Sequence, residues 1–597
     1  MSDLGDFTPS RSSADDASST DDTPSSPDGS SERFETSSIT ASGADAGIGA
    51  ISSAQGLKIA EDADDTGICA SITAGNRSSV RLGKYLLLSY PDDEKLFCRI
   101  TELEYVQEFH TDDASEIHVR RAMRNGEVAE SDYKFLATLE PIAVLYNGDG
   151  ELKRRMADRV PKPEAVVREA TDTEEIKTGL KMPDDGVFLG HLAVGGEKVR
   201  TAARPPTIDY RLKDDYEAGD PLVFRHTLVA GGTGSGKTHG AKNVLRQYLH
   251  PDRCYELDDG RTIAPAVVQF DPQDEYAQMH DDNPGVTSDD ERAYEREGIA
   301  CGGHDDTKAF VPAVGESQYS NADHRAEQVE FTIPFSMVRE NKWLVAGSDL
   351  NDNQYSALTY LLKRFFKQHG DSGTYSRFKT FLDDPALREE LDESGRVHEA
   401  TFDAVKRRAR GFDSVFDQSA PPITDLVHEF VRPGGLSVVA AYHINDSRAT
   451  EVIVLALSSL LVDQKLSNDP DFDRIKETPL VLGMDEAHNF LSGADSAQGG
   501  KVIGKFAEAA KQGRKERLGL FFITQDPQDI ADAIFKQINT KIVLNLGDED
   551  AISAVNIPTS LAGKVPYMEK GQMVVYSPDN SEPVELIGLS NCLTKHE

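Results

Sequence analysis

Gly231-Gly232-Thr233-Gly234-Ser235-Gly236-Lys237-Thr238 stands between the apolar run Leu228-Val229-Ala230 and a helix-like segment that begins near Thr238. The spacing G-x-x-x-x-G-K-[ST] after a strand and before a helix reads as a P-loop and implies a bound nucleoside triphosphate. The glycines let the backbone curl so that successive N–H groups point inward at phosphate oxygens. Lys237 is expected to reach the β and γ oxygens and Thr238 to give an oxygen to Mg²⁺, while the following helix adds its positive end. Gly231, Gly232, Thr233, Gly234, Ser235, Gly236, Lys237 and Thr238 are thus the expected ATP-binding set.

A second signal lies downstream, where Pro479-Leu480-Val481-Leu482-Gly483-Met484 runs into Asp485-Glu486-Ala487-His488. This is the pattern of a buried strand ending in two carboxylates. Asp485 is expected to hold Mg²⁺ through its water shell, and Glu486 to polarise the water that attacks the γ-phosphate. An isolated Asp-Glu pair is usually a solvated surface feature, but this one closes an apolar run in a chain that already carries a P-loop. The combination points to a Mg²⁺-dependent ATPase.

Further strand ends supply further candidates. Val267-Val268-Gln269-Phe270 ends on Asp271-Pro272-Gln273-Asp274-Glu275-Tyr276. Glu275 is open to two readings there: support for the metal or its water, or part of a helix cap with acidic first-turn residues. Leu520-Phe521-Phe522-Ile523-Thr524 ends at Gln525. Its amide is read as a contact to the γ-phosphate that reports hydrolysis, with a simple turn before Pro527 as the alternative. Lys511-Gln512-Gly513-Arg514-Lys515-Glu516-Arg517 is a rare basic cluster in an acidic chain. A guanidinium delivered from a neighbouring subunit would neutralise charge developing in the transition state. Arg514 is the first choice for that finger and Arg517 the second, against a solvated helix end.

The chain has 597 residues, too many for one ordinary core, and suggests two or three domains plus tails. Its net charge is −38, of which residues 1–65 carry 14 acidic and three basic side chains, so −27 belongs to the rest. Such a surface is unpromising for an ordinary DNA binder in dilute salt. Two compatible readings reconcile it with nucleic acid: a very salty cytoplasm in which the acidic coat keeps the protein hydrated, and a basic strip confined to a channel. A third is that no nucleic acid binds. The five cysteines, Cys69, Cys98, Cys254, Cys301 and Cys592, show no C-x-x-C spacing, which suits a reducing cytoplasm and argues against a zinc module. The longest strongly apolar stretch, 452–462, is too short to cross a bilayer, and the amino terminus lacks the pattern of an export signal.

Residues 1–65 are rich in Ser, Asp, Thr and Gly and read as a disordered acidic tail. From 66 to 160, short apolar runs separated by turns, such as Tyr85-Leu86-Leu87-Leu88, Leu96-Phe97-Cys98-Arg99-Ile100 and Pro141-Ile142-Ala143-Val144-Leu145-Tyr146, predict a small β-barrel or sandwich. Over 161–597, strand candidates at 227–230, 266–270, 436–442, 480–484, 520–524 and 542–546 alternate with helix candidates. That alternation predicts an α/β domain with a mostly parallel sheet and helices on both faces. Residues 278–330, poor in apolar side chains, read as a solvated insertion. Tyr355, Leu358, Leu361, Leu362, Phe365 and Phe366, and Val452, Leu455, Leu460 and Leu461, recur at helical spacing and predict core-facing helices.

Together the P-loop, the Asp271-to-Tyr276 segment, Asp485-Glu486-Ala487-His488, Gly513-Arg514-Lys515 and Gln525 resemble the HerA family of hexameric DNA translocases and helicases, relatives of FtsK, over roughly residues 66–597. The acidity suggests a haloarchaeal-like member. The resemblance implies a RecA-like ATPase domain behind an amino-terminal β-barrel, a cytoplasmic homo-hexamer with ATP at each interface, double-stranded DNA in the channel, and a NurA-type nuclease partner in DNA end processing and repair. By carry-over, Lys237 and Thr238 bind phosphate and Mg²⁺, Asp485 and Glu486 form the second nucleotide motif, Gln525 is the sensor and Arg514 the trans-acting finger. The chain departs from the family pattern at Gln273 and Asp274, where His and Gly are typical, and at the 278–330 segment. Two other functions share the motifs: a conjugation or secretion motor, and a nucleotide-switched ring scaffold of a defence complex.

Overall fold

The computed structural model describes residues 47–596, apart from 53–56, 61–66, 108–118, 120–122, 124–132, 217–218, 322, 347–349 and 493–496. Near its amino-terminal end, six antiparallel strands close into a barrel. In spatial order they are Cys69–Ile72, Gly49–Ile51, Val166–Glu169, Tyr85–Ser89, Lys95–Gln107 and Tyr133–Gly148, and the last pairs back onto the first. The run Tyr85-Leu86-Leu87-Leu88 lacks polar alternation because both of its faces are covered. Leu86 and Leu88 enter the barrel core with Leu96, Cys98 and Ile100, while Tyr85 and Leu87 pack on the other side with Phe97, Ile176 and Leu180.

Barrel strands therefore lie on both sides of the expected 66–160 interval. Gly49–Ile51 falls in the stretch read as a tail, and Val166–Glu169 lies beyond the expected end. Ile48 and Ile51 are buried and anchor the first strand. Two isoleucines among Ser, Asp and Gly are too few to show as a periodic pattern. The rest of the expected tail, up to residue 46, lies outside the described residues.

The ATPase part is built on one mixed sheet, of 13 strands among the described residues. Its parallel half runs, in spatial order, Thr540–Val543, Thr227–Ala230, Leu518–Thr524, Leu480–Met484, Ala266–Asp271, Leu436–Ala440, Thr307–Pro312 and Glu327–Phe331. The six strands expected from the alternation all lie in this half. An antiparallel half continues from Thr540–Val543 through Gln572–Tyr576, Val584–Ile587 and Val187–Val194 to Asp209–Leu212. Alternate residues of the P-loop strand serve different cores, Leu228 and Ala230 on one face and Val229 on the other. The helix Lys237–Tyr248 covers the second face with Ala241, Val244 and Leu245, and the helix Ser447–Leu466 is buried along nearly its whole length on the first. Among the described residues no helix is long and apolar enough to cross a membrane.

Residues 278–330 are not a solvated insertion. They carry the helix Ser288–Arg296 and the strands Thr307–Pro312 and Glu327–Phe331, which complete one edge of the parallel sheet. In the outermost strand Phe331 alone is fully buried and its Glu and Gln side chains face solvent, which protects a sheet edge and also hides it from a hydropathy pattern.

Between Glu327–Phe331 and Leu436–Ala440 the chain inserts a helical layer that includes Asp352–His369, Tyr375–Leu382, Pro385–Glu393 and Glu399–Arg408. Leu358, Leu361, Leu362, Phe365 and Phe366 form the buried face of the first helix, whose start is closed by a capping box between Asn351 and Gln354. The layer centres on Phe335, whose ring meets Phe365, Phe366, Tyr375, Phe378 and Phe416 at centroid distances of 5.2–6.0 Å. Phe335→Ala is expected to destabilise this region by about 3–5 kcal/mol, and Phe335→Leu by much less. Denaturant unfolding followed by far-UV circular dichroism checks this; equal stability of the Ala variant and the parent would contradict it.

Candidate nucleotide-binding site

The P-loop leaves the sheet where the parallel register carries it. Ala230, the last residue of its strand, pairs with Thr524 on one side and Val543 on the other. The turn is held by Gly231 N donating to Thr524 O at 3.2 Å and Gly232 N donating to Asn545 O at 2.6 Å. Gly234 and Gly236 adopt φ of 78° and 99°, which an L side chain resists. A Cβ at Gly231 would come within 2.6 Å of Ser235 Oγ. That Oγ is buried and has no hydrogen-bond partner among the described residues.

Lys237 opens the helix and folds back, its Nζ donating to Gly232 O at 3.1 Å. Burial lowers its pKa, and the charges of Glu486, Asp485, Asp526 and Glu275 oppose that shift. Four carboxylates therefore converge on one buried ammonium. Thr238 follows it, partly buried, on the first helical turn.

Asp485, buried, and Glu486, half-buried, leave the end of Leu480–Met484, the strand next but one to the P-loop strand. Asp485 is only 4% exposed. Burial pushes its carboxyl up to about 7, against a hydrogen bond from Glu486 N at 2.9 Å, and the carboxylates of Asp271, Glu486 and Glu275 add to the rise. Glu486 takes a left-handed backbone conformation, φ 47°, rare for a residue with a side chain. Gln525 ties this carboxylate to the P-loop: Gln525 Nε2 donates to Glu486 Oε1 at 2.6 Å, and Thr233 Oγ1 donates to Gln525 Oε1 at 2.8 Å. Glu486 Oε2 is buried without a hydrogen bond, with His488 Nδ1 3.5 Å away. His488 Nδ1 also lies 3.0 Å from Thr524 Oγ1, so one imidazole spans the ends of both strands.

Asp271 closes its own turn, accepting hydrogen bonds from Gln273 N at 3.1 Å and Tyr276 N at 2.7 Å. Burial pushes it up to about 6 against those amide hydrogen bonds. The Glu275 side chain caps no helix and instead shares the electrostatic field of Lys237 and Asp485. Among the described residues no group of three or more His, Cys, Asp or Glu side chains is arranged to hold a metal ion. The unpartnered Ser235 Oγ, the open glycine cradle and the Asp485–Glu486 pair nevertheless fit a nucleotide with its cation, which Thr238 and Asp485 would hold together with phosphate oxygens.

Arg514 is not brought to this centre. It precedes the strand Leu518–Thr524, whose other end carries Gln525, and so sits at the opposite edge of the sheet, about 20 Å away. Its Nε pairs with Asp220 at 3.0 Å, and half of its side chain is exposed. Arg517 is committed elsewhere, donating to Glu256 O at 2.8 Å and to Asp258 Oδ1 at 2.7 Å. Across the P-loop from Glu486 the structure gathers Leu544, Asn545, Lys570, His239 and His596. Of these, His239 adjoins a motif and Leu544 and Asn545 lie in the 542–546 strand candidate, directly after Thr540–Val543; Lys570 and His596 come from the segments before and after the antiparallel strands Gln572–Tyr576 and Val584–Ile587, where no sequence signal marks them.

The sequence model of the helicase HerA central domain matches residues 218–461. A probable helicase of Methanocaldococcus jannaschii is 22% identical over 515 residues, covering 83% of this chain and 88% of that protein. The DNA double-strand break repair helicase HerA of Sulfolobus acidocaldarius is 20% identical over 508 residues, covering 84% of this chain and 87% of its own. Among solved structures, VirB4 of Thermoanaerobacter pseudethanolicus is similar with a TM-score of 0.44 and 14% identity, over 68% of this chain and 97% of that one. The plasmid coupling protein TrwB in complex with a non-hydrolysable ATP analogue is similar with a TM-score of 0.42 and 14% identity, over 68% and 95%. The HerA central-domain match spans the P-loop and these sequence relatives align along most of their length, and together they support a HerA-family member.

Proposed function

We propose that this protein is a HerA-family, Mg²⁺-dependent ATPase that translocates along double-stranded DNA. It would work as a cytoplasmic homo-hexamer with a NurA-type nuclease in DNA end processing and repair. The observation that carries the ATPase reading is the hydrogen-bond chain Thr233–Gln525–Glu486, which joins the P-loop to a buried carboxylate through one amide. The names of the sequence relatives, helicases and a double-strand break repair helicase, support DNA as the track.

In this reading the P-loop amides from Gly232 to Thr238 hold the phosphates and Lys237 turns from Gly232 O to the β and γ oxygens. Mg²⁺, when bound beside Thr238 and Asp485, neutralises phosphate charge. Glu486 takes a proton from the water that attacks the γ-phosphorus as the bond to the β-phosphate oxygen breaks. Gln525 releases or regains Glu486 according to whether a γ-phosphate is present. Arg514, too far from its own P-loop, completes the site of the next subunit, which is why the reading requires a ring.

Turnover in high-potassium buffer is expected to rise several-fold on adding linear duplex DNA. Glu486→Gln should retain ATP binding and lose about 10²–10⁴-fold in turnover. DNA-indifferent hydrolysis would sink the translocase reading, and normal turnover by Glu486→Gln the role of that carboxylate.

Arg514→Ala alone should reduce turnover by at least about 10³-fold. Mixing it with Glu486→Gln should restore part of the activity, because mixed rings contain interfaces with an intact Glu486 facing an intact Arg514. Absence of any recovery in rings proven mixed would remove Arg514 from the neighbouring site.

The raised pKa of Asp485 sets a pH dependence. The carboxyl must lose its proton to face a cation, and in the nucleotide-free protein it does so at about pH 7. Apparent Mg²⁺ affinity at fixed ATP should therefore rise about tenfold from pH 6 to pH 8 and flatten above. Titrating Mg²⁺ against turnover at each pH checks this, and a flat profile across that window would contradict it.

A further inference from the structure

The two flanks of the P-loop are chemically unlike. Asp485, Glu486 and Gln525 reach it from the Leu518–Thr524 side, and this makes that side the γ-phosphate end. The nucleoside of a bound triphosphate must then leave past Thr238 and His239, toward the Thr540–Val543 side. Lys570 stands there, its Cγ 3.7 Å from where a Cβ on Gly236 would be. Beside it two imidazoles, His239 and His596, stack with centroids 5.6 Å apart and planes 26° from parallel.

The stack is built rather than incidental. His239 belongs to the helix that opens at Lys237. The segment bearing His596 is fastened to the same helix: Leu593 N donates to Asn243 Oδ1 at 2.8 Å, and Lys242 Nζ, on a side chain with 0% exposure, donates to Lys595 O at 3.3 Å and lies 3.4 Å from His596 Nδ1. Below the rings a recess of about 30 Å³ is walled by Phe188, Leu189, Met573 and Leu589. It is too small to admit a purine, so a base would lie across its mouth, against the imidazoles. Flat rings over an apolar floor suit a stacked base. Among the described residues the recess beneath it has only His239 and Asn243 as polar side chains, and Asn243 is already engaged, its Oδ1 by Leu593 N and its Nδ2 toward His239 Nε2 at 3.5 Å.

We infer that His239 and His596 form a nucleoside subsite on which the purine base of a bound nucleoside triphosphate stacks, with Lys570 facing its phosphates. This rests on the nucleotide-site reading above. The subsite selects purines by stacking area and does not distinguish adenine from guanine, because among the described residues the side chains lining the recess leave no free donor–acceptor pair for the base edge.

The test is displacement of a ribose-labelled fluorescent ATP from the full-length protein by ATP, GTP, CTP and inorganic tripolyphosphate. ATP and GTP are expected to bind within about threefold of each other, and CTP and tripolyphosphate about tenfold more weakly. His596→Ala and His239→Ala should each weaken ATP and GTP about tenfold while leaving tripolyphosphate unchanged, and His596→Phe should retain ATP affinity. ATP affinity unaltered by both alanine variants, or a loss shared equally by tripolyphosphate, would overturn the subsite. GTP binding more than tenfold below ATP would overturn its indifference to the base edge. Tripolyphosphate binding as tightly as ATP overturns the subsite and leaves the P-loop reading standing. Failure of the parent protein to bind ATP or tripolyphosphate any better than Lys237→Ala would overturn both.

Discussion

In-register parallel pairing at the middle of the sheet is the constraint on which the site depends. Ala230 pairs with Thr524, Met484 with Phe522, and Phe270 with Met484. These alignments bring the P-loop, Gln525, Asp485, Glu486 and Glu275 out at one edge. A slip of one residue in any of these strands would send its terminal side chain to the opposite face. The same geometry explains what the site lacks. Arg514 lies before the start of a strand whose end reaches the nucleotide, and no rotamer can span the width of the sheet.

Assembling the edge costs electrostatic free energy that the rest of the fold has to offset. Asp485 and Asp271 are buried and hard to ionise, Lys237 is buried among carboxylates, and Glu486 holds a strained backbone angle. Hydrogen bonds from Gln525 to Glu486 and from Ala487 N to Ile523 O, the latter at 3.0 Å, keep the strained residue in place. In the proposed function it is the cation, rather than the triphosphate, that would supply the positive charge these carboxylates are short of. The acidity of the chain as a whole is a separate matter: surface carboxylates in ion pairs such as Asp149 with Lys153 contribute little to stability, and their excess bears on hydration.

Legibility followed burial. Strands covered on both faces, such as Thr227–Ala230 and Leu480–Met484, announce themselves as unbroken apolar runs, and the motifs at their ends say what they do. Val187–Val194 is buried just as thoroughly, but no chemical motif follows it to tie it to the sheet. Glu327–Phe331 needs only Phe331 inside, and Gly49–Ile51 has two buried residues in a run of three, so neither rises above a polar background. For Glu275 the residue type alone left cap and metal support undivided, since both roles favour an acidic residue at a strand end; in the structure its side chain makes no cap hydrogen bond, and it is Asp271 that turns inward onto the amides of Gln273 and Tyr276.

The sequence by itself determined the P-loop, the carboxylate strand and the parallel half of the sheet, because each is a local pattern in which neighbouring residues must satisfy both a backbone geometry and a chemistry. Only the tertiary structure decided that Gln525 bridges Thr233 to Glu486, that Arg514 faces away, that residues 278–330 complete the sheet, and that His239 meets His596. Those pairings join residues up to several hundred positions apart. Their partners are chosen by sheet order and by what remains unburied after packing, and neither leaves a local trace in the chain.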